Sequence, residues 1–598
     1  MLEIRMVMTS SVGESSPICL FPMIRTATTI TMYRIIVRRK LTAIFSSPHL
    51  PFYFFSMRQS SFRYALFFQV ICECFFFDSP TITEKEGMDM PQWFEKKTKE
   101  KEQDLYVTPQ PPQTESIRLT GNAAENLSVI RKTLHDTADF MVREITVCGI
   151  PVKLMMFEGM FSLQTLTEIM LEPLGELVLD EPSPQALREW ILHRAVLGMD
   201  QSEVETLGEL FPFLMSGFAG IMIDGIEKVI VAGVQGFSFR SVSEPSSEEN
   251  VRGSREGFTE PIRINMTMVR RRIKSSALKM ELMKAGVKSN TDLCLIYQTD
   301  MVAPELLRDI RRRIGEIPTD IILESGYIQP FLDTDITSIF SNVGTTQRPD
   351  TLCAKISEGR VGILVDGTPF ALIVPYFFNE NFQSIDDYTH RPYYAVFERW
   401  LKYLAFFFTI LLPGFYVAAG TFHPELLPEA LLLNITAAEQ DVPFPLVMEA
   451  LLIHFIYELM REAGLRLPRP IGHAIGIIGA LVIGDAAVTA GLISSPMVMV
   501  VALTALSSFV VPSLFQEVTI MRFGFIIIGG TLGIFGISLG LALMIVNLCS
   551  VNAYGIPSMS PESPFQMFAM RDVLIRVGWK KLGRKKLKIQ NLPGTEIR

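Results

Sequence analysis

The order of apolar and polar positions changes character several times along the chain. Leu127, Ile130 and Leu134 recur every three to four residues behind Asn122, which predicts an amphipathic helix starting there. Short unbroken apolar runs then replace that spacing. Lys153-Leu154-Met155-Met156-Phe157 reads as a buried strand, followed by a helix carrying Met160, Leu166 and Ile169. Leu293-Cys294-Leu295-Ile296-Tyr297 repeats that run 140 positions on, and Met301, Leu307 and Ile310 behind it lie 141 positions beyond Met160, Leu166 and Ile169. Ile221-Met222-Ile223-Asp224-Gly225 and Ile363-Leu364-Val365-Asp366-Gly367 lie 142 positions apart, each leading into another apolar run. Asp-Gly between two such runs predicts a hairpin whose type I′ turn holds both central residues at positive φ. The pattern therefore predicts an internal repeat of two similar α/β subdomains, 115–260 and 261–395, turning at Asp224-Gly225 and Asp366-Gly367.

Beyond residue 395 the runs lengthen to bilayer scale, and positions 404–548 hold nine acidic residues, four Arg and no Lys. Candidate spans are 404–420, 471–493, 496–515 and 523–548, with a more polar fifth, 444–460, carrying Glu449, His454 and Glu458. Small residues four apart, Gly472/Gly476/Ala480/Gly484 and Gly536/Gly540, let helix backbones approach closely in lipid and imply oligomerisation. The expected architecture is an α/β region of two similar subdomains followed by an all-α multi-pass transmembrane domain at 396–560. Residues 561–598 form a basic tail: 571–588 hold eight Lys and Arg and one acid, Asp572, which places the tail in the cytoplasm. The large N-terminal region carries no export signal and stays inside too, so the crossings are even in number. Four spans satisfy this if 444–460 is interfacial, although Arg461, Arg466 and Arg469 then lie outside, against the same rule.

Composition supports a membrane protein. Of 598 residues 48% are hydrophobic and 20% charged, against about 25% charged in soluble domains, and mean hydropathy is +0.29. A net charge of -8 leaves no global basic field, so no nucleic-acid partner is expected. The seven cysteines are scattered, without C-x-x-C, so neither a disulfide framework nor a zinc site is expected. Residues 1–87 are aromatic and basic in patches and fit no domain type. Lys85-Glu86-Gly87 stands just before Met88 and Met90, which suggests translation starting at one of them. Residues 88–114 are charged and then Pro-rich, as in a solvated linker.

Three groups of polar residues carry candidate chemistry. Asp485 sits inside a candidate span, where an ionisable group costs about 3 kcal/mol unless it meets a partner or water, so it is the first candidate for an ion pathway. The alternative is a hydrogen-bonded Asp locking two helices. Glu449 and Glu458, nine positions apart and expected to share a face, are further pathway candidates, against a hydrated surface helix. Arg252, Gly253, Arg255, Glu256, Gly257, Phe258, Thr259 and Glu260 form the densest polar motif, followed by Arg270-Arg271-Arg272. It suits either an anion-binding or subunit-contacting loop, or a charge-paired linker. Gly-x-x-x-x-Gly-Lys-Ser/Thr, His-Glu-x-x-His and Gly-x-Ser-x-Gly do not occur, so no enzyme activity, catalytic residue, metal or cofactor is expected.

At these residues the chain resembles the GerA spore germination protein family, specifically the A-subunit type of nutrient germinant receptor. The matching stretches run in order over about 115–585. They include Ser243-Glu244-Pro245, Val251-Arg252-Gly253, Arg255 through Glu260, Arg270-Arg271-Arg272-Ile273, Ile322 through Ile328, Gln347-Arg348-Pro349-Asp350, Leu364 through Phe370, Arg461-Glu462-Ala463-Gly464 and Gly479 through Gly484. Departures are the first 87 residues, which the family pattern does not include, and Asp485, where many members of the family carry Gln. The resemblance implies a cytoplasmic pair of similar subdomains and a multi-pass domain in the spore inner membrane. It also implies a homo-oligomeric A subunit acting with a transporter-like B subunit and a lipoprotein C subunit as a nutrient-gated cation channel. An ion-conducting paralogue that amplifies germination without sensing nutrient, or a secondary transporter, is the alternative.

Overall fold

The computed structural model describes residues 106–107 and 117–597, apart from 180, 194–199, 237–244, 246–247, 249, 251, 467–483 and 584–585. The expected extension 1–87, most of the linker 88–114, the first part of span 471–493 and the Gly472/Gly476/Ala480 positions lie outside the described residues.

Two five-stranded sheets follow one another. The first is built from β1 (Phe140–Val147), β2 (Ile150–Phe157), β3 (Gln201–Val204), β4 (Phe218–Ile223) and β5 (Val229–Gly233) in the order β1-β2-β4-β5-β3. The second uses β6 (Leu278–Ala285), β7 (Thr291–Gln298), β8 (Gly344–Thr346), β9 (Val361–Val365) and β10 (Ala371–Val374), in the same relative order, β6-β7-β9-β10-β8. Register matches as well: Ile223 pairs with Val152, and Val365 with Leu293. The internal repeat is thus a repeat of whole topology. Met160 and Met301 fall in the turns before the helices expected to carry them.

The α/β expectation needs one correction. Every ladder in both sheets is antiparallel. Unbroken apolar strands suggest a parallel sheet because that kind is covered on both faces, but here antiparallel sheets are covered on both faces. Ile221 and Ile223 pack with Leu187 and Ile191 on one side, while Met222 packs with Leu210 and Leu214 on the other.

The two Asp-Gly hairpins form, but not with type I′ turns. Gly225 and Gly367 both sit at φ +87, whereas neither Asp224 nor Asp366 is left-handed, and each loop is five residues long. Each Asp instead caps a helix. Asp224 Oδ1 accepts from Ala123 N at 3.1 Å at the start of α1 (Ala123–Thr133), and Asp366 Oδ1 accepts from Ile262 N at 3.0 Å at the start of α2 (Ile262–Arg272). Both stabilise otherwise orphaned N–H groups.

A buried pair joins the repeats. Arg270 on α2 donates to Asp139 at 2.7 and 3.0 Å, and Met280 N donates to Thr137 Oγ1 at 3.0 Å. The amphipathic helix α3 (Pro304–Gly315) covers the second sheet, whose core also takes in Ala553, Tyr554, Ile556, Ala569, Ile589 and Leu592 from the far end of the chain. The basic tail is therefore woven into the second subdomain.

Between them the described residues are helical: α4 (Pro392–Phe422), α5 (Leu446–Arg466), α6 (Gly484–Thr489), α7 (Ser495–Ser508) and α8 (Phe515–Ser550) are the main elements. Two stretches, Pro392–Phe422 and Pro512–Ser550, are long and apolar enough to cross a membrane. The latter is not one straight rod. Gly533 has φ 62 and ψ -152, and a Cβ on Gly540 would stand 3.0 Å from the Phe525 ring. In a straight helix fifteen residues span about 22 Å. The chain reverses at Gly533, and residues on either side of it, Met521 and Met544 among them, pack in one core. The expected single span 523–548 is thus the upper part of a helical hairpin. Its first arm crosses α4 where Gly414 and Gly529 meet backbone to backbone.

Gly533→Ala is expected to destabilise the protein by about 1–3 kcal/mol, because that backbone conformation excludes a Cβ. Gly524→Ala, with open space around the added methyl, should cost nothing. Thermal unfolding of both variants in detergent compares them directly.

Candidate functional site

The helical region holds its ionisable groups in distinct settings. Glu449, buried on α5, accepts from Ser494 N at 2.6 Å and from Ser494 Oγ at 2.7 Å. Its carboxylate thereby sits at the N-terminus of α7, where the helix dipole favours negative charge. Glu458 pairs with Arg522 of α8 and, at 2.8 Å, with Arg461, whose guanidinium lies 3.6 Å from the Phe515 ring centroid. The expectation that the two acids share a face is corrected: nine residues are two and a half turns, so they point to opposite sides. Arg522 is fully buried, and its Nε and Nη1, like Nε2 of buried His454, lack a hydrogen-bond partner among the described residues. Asp485 differs from both glutamates. It lies exposed on α6 and forms no ion pair among the described residues.

A second polar cluster sits where α4 leaves the second subdomain. Arg399, fully buried, donates to Asp387 Oδ2 at 2.7 Å and to the carbonyls of Asp572 and Val573 at 2.7 and 3.0 Å. Its Nη2 also stands 2.9 Å from Asp572 Oδ1, a charge contact without hydrogen-bond alignment. Tyr388 donates to Asp572 Oδ2 at 2.8 Å, and Lys402 to Ser384 Oγ at 2.9 Å. Burial pushes the Asp572 carboxyl up, with Arg399 and Tyr388 acting against the shift. Nearby, Glu380 receives both Lys355 and Arg360, the latter at 2.6 Å, and donors at every side hold its carboxyl low despite burial.

The Arg252–Glu260 motif folds across the second sheet. Glu256 binds Arg271 at 2.6 Å and Arg272 at 2.5 Å, Phe258 N donates to Gln347 O at 2.7 Å, and Thr259 is held by Asn265 at 2.8 Å. Arg252 N reaches Asp386 Oδ1 at 3.4 Å, beside the α4 cluster, and Gly253 takes φ +127. Gly367 N donates to Glu260 O at 3.0 Å, which ties the motif to the capping hairpin.

Sequence reasoning passed over Arg399, Asp387, Arg522 and Glu562. Arg522 had a usable signal, being an isolated cation between apolar runs. Asp572 stood out only as the single acid in a basic tail. For Arg399 and Asp387 no local spacing signals a pairing that closes against residue 572.

Comparison with known proteins gives a consistent answer. The family model described as Bacillus/Clostridium GerA spore germination protein matches residues 128–587. Spore germination protein KA of Bacillus subtilis (strain 168) is 39% identical over 470 residues, covering 77% of this chain and 86% of the relative. Spore germination protein GerLA of Bacillus cereus is 32% identical over 453 residues, covering 75% and 92%. Among solved structures, the N-terminal domain of the A subunit of the Bacillus megaterium spore germinant receptor GerK3 aligns with TM-score 0.34 and 28% identity. It covers 44% of this chain and 97% of that one.

Two outcomes follow from the geometry. Glu458→Gln leaves a buried Arg522 without its counter-charge and is expected to cost about 3–5 kcal/mol, while Arg522→Met in the same background should restore much of it; unfolding in detergent across the double-mutant cycle measures the coupling. Glu562 receives the Tyr403 hydroxyl at 3.3 Å, and burial pushes its carboxyl up to about 7. An acid raised above its ordinary value is protonated when folded and ionised when unfolded, so stability falls as pH climbs from about 4.5 to about 7. Glu562→Gln should remove that slope, melting above the parent protein at pH 8 and level with it at pH 4.

Proposed function

The chain belongs to the GerA spore germination protein family, and from that premise we propose that it is the A-type membrane subunit of a nutrient germinant receptor. In this reading copies of the chain assemble in the spore inner membrane around a nutrient-gated path for cations, together with a transporter-like B subunit and a lipoprotein C subunit.

Asp485 carries the proposal. Glu449 and Glu458 spend their charge inside the chain, whereas Asp485 presents an exposed carboxylate from a region of membrane-like composition. Leaving it toward lipid costs several kcal/mol, so a neighbouring subunit or a water-filled path is the favourable surrounding. A ring of such carboxylates selects for cations.

The directions of the helices support a multi-pass arrangement. Glu458 and Arg461 of α5 face Arg522 and Phe515 of α8, and Ser494 and Ser508 flank α7 beside Glu449 and Tyr457 of α5. Accordingly α5 and α7 run one way, and α4 with the first arm of α8 runs the other. The reversal at Gly533 adds a returning arm. The start of α4 and the residues after α8 meet the same subdomain. Because α5 runs opposite to α4, Arg461 and Arg466 near its end lie on the tail's side, as basic residues on the cytoplasmic side would.

Gating in this reading needs a nutrient-bound state that differs in affinity between closed and open arrangements, since equal affinity shifts nothing. The test is potassium release from dormant spores carrying Asp485→Asn in place of the native residue. Early release triggered by one class of nutrient is expected to slow by about tenfold or more with the protein still present in the membrane, about 1.4 kcal/mol at the barrier. Unchanged release discards the pathway role. Slowing for every nutrient alike assigns the chain to the amplifying paralogues instead.

A further inference from the structure

Two helices measure depth in the bilayer independently. Lys402 is the last charged residue of α4, and the stretch from it to Phe422 spans about 30 Å, the thickness of the hydrocarbon core. Gly533, where α8 reverses, lies level with Phe422: a Cβ there would stand 3.3 Å from the Phe422 Cβ. Counted back from that level, Phe406 lies about 24 Å away along α4 and Asn547 about 21 Å away along the returning arm of α8, so both fall inside the near edge of the core. A loop of the second subdomain reaches these two residues. Thr334 Oγ1 donates to Asn552 O at 2.7 Å, beyond the end of α8, and Ser338 Oγ donates to Asn547 Oδ1 at 3.2 Å, so the chain descends beside the arm. Phe340 then packs in one core with Phe406, Met544 and Leu548. Between those anchors Ile336 is 82% and Ile339 48% exposed.

We propose that the loop 335–340 dips into the leaflet on the subdomain's side, with Ile336 and Ile339 seated among the lipid acyl chains. The inference rests on the membrane reading above. Depth selects this occupant, because an apolar side chain uncovered at the level of Asn547 and Phe406 meets lipid tails and is thereby removed from water. The surface of α8 continues the same face. Leu543, one turn before Asn547, and Val546 beside it are 62% and 64% exposed, so the loop abuts an apolar strip of the arm. The polar groups of the loop are bonded within it: Thr337 Oγ1 and N donate to Asp335 Oδ1 at 2.6 and 3.0 Å, and Phe340 N donates to Ser338 Oγ at 3.2 Å. Such bonds lower the cost of leaving water. A tip of two isoleucines is far smaller than the about 800 Å² per partner of a stable protein interface, whereas lipid covers it without matching its shape.

The test uses the full-length protein reconstituted in phosphatidylcholine vesicles, with the lipid brominated either near the head of its acyl chain or near the end. The difference between Ile336→Trp and the parent protein isolates the emission of the introduced ring, at a position exposed enough to accept it without repacking. Bromine near the head of the chain is expected to quench that emission about twofold more than bromine near the end, and Ile339→Trp should repeat the order. Equal or reversed quenching by the two lipids, or quenching by aqueous iodide alone, overturns the proposal while leaving the membrane reading intact. So does a ring reached by none of the three quenchers, as a second copy covering the loop would produce. Release of the chain from the vesicles by alkaline extraction overturns both.

Discussion

Arg399 is the point through which three parts of the molecule are joined. It stands on the third turn of α4, pairs with Asp387 from the segment that leaves the second sheet, and binds the backbone and side chain of Asp572 in the returning tail. A guanidinium with no exposed surface is costly unless its donors find acceptors, and loss of one partner from such a pair costs about 3–5 kcal/mol. Both ends of the helical region are thereby clamped at one place on the second subdomain. The residues after α8 reinforce the clamp by contributing Tyr554, Ile556 and Ile589 to that subdomain's core, and Ile589 N donates to Glu358 O at 3.1 Å.

The repeat shows how one small device is used twice. Thr120 with Asn126 and Thr259 with Asn265 form matching pairs, in which the Asn side chain accepts from the Thr amide and donates to its carbonyl. With the capping aspartates these contacts fix where each helix starts against its sheet. The repeats then diverge in what they cover. Among the described residues the first sheet packs against helices of its own repeat, whereas one face of the second also receives the residues after α8. Attachment to the membrane-length helices falls to the second repeat for that reason.

Local pattern carried much of this. The strands, the paired hairpins and the helix behind Asn122 were legible because each depends on neighbours in sequence. Outside the two hairpins strand direction was not: an apolar run records that both faces are covered and leaves open which way the partner strand points. The turn type failed for a related reason, since Asp-Gly suits both a tight type I′ turn and a wider loop whose Asp caps a distant helix. Gly533 was hidden inside a long apolar run. Hydropathy is the same on both arms of a hairpin, and only its backbone angles reveal the reversal. The polar groups divide likewise. Asp485, Glu449 and Glu458 stood out as charges among apolar neighbours, but which of them is satisfied internally depends on Ser494 and Arg522, which lie 45 and 64 positions away.

The clamp also constrains how the helical region can change shape. The start of α4 and the end of α8 cannot separate at the subdomain without exposing Arg399 and Asp387, so their spacing there is fixed by a buried charge pair. At the opposite end the contacts are of another kind: Gly533 rests on the Phe422 side chain, and Gly420 faces the Leu446 side chain. Apolar packing of that sort tolerates sliding and rotation at far smaller cost than the opening of a desolvated ion pair. A displacement of the second subdomain thus moves α4 and the tail together, and the differential motion it generates is concentrated at the far ends of the helices, the same end at which Glu449 caps α7. Two discrete arrangements of the helical region, if a ligand is to choose between them, have to differ there.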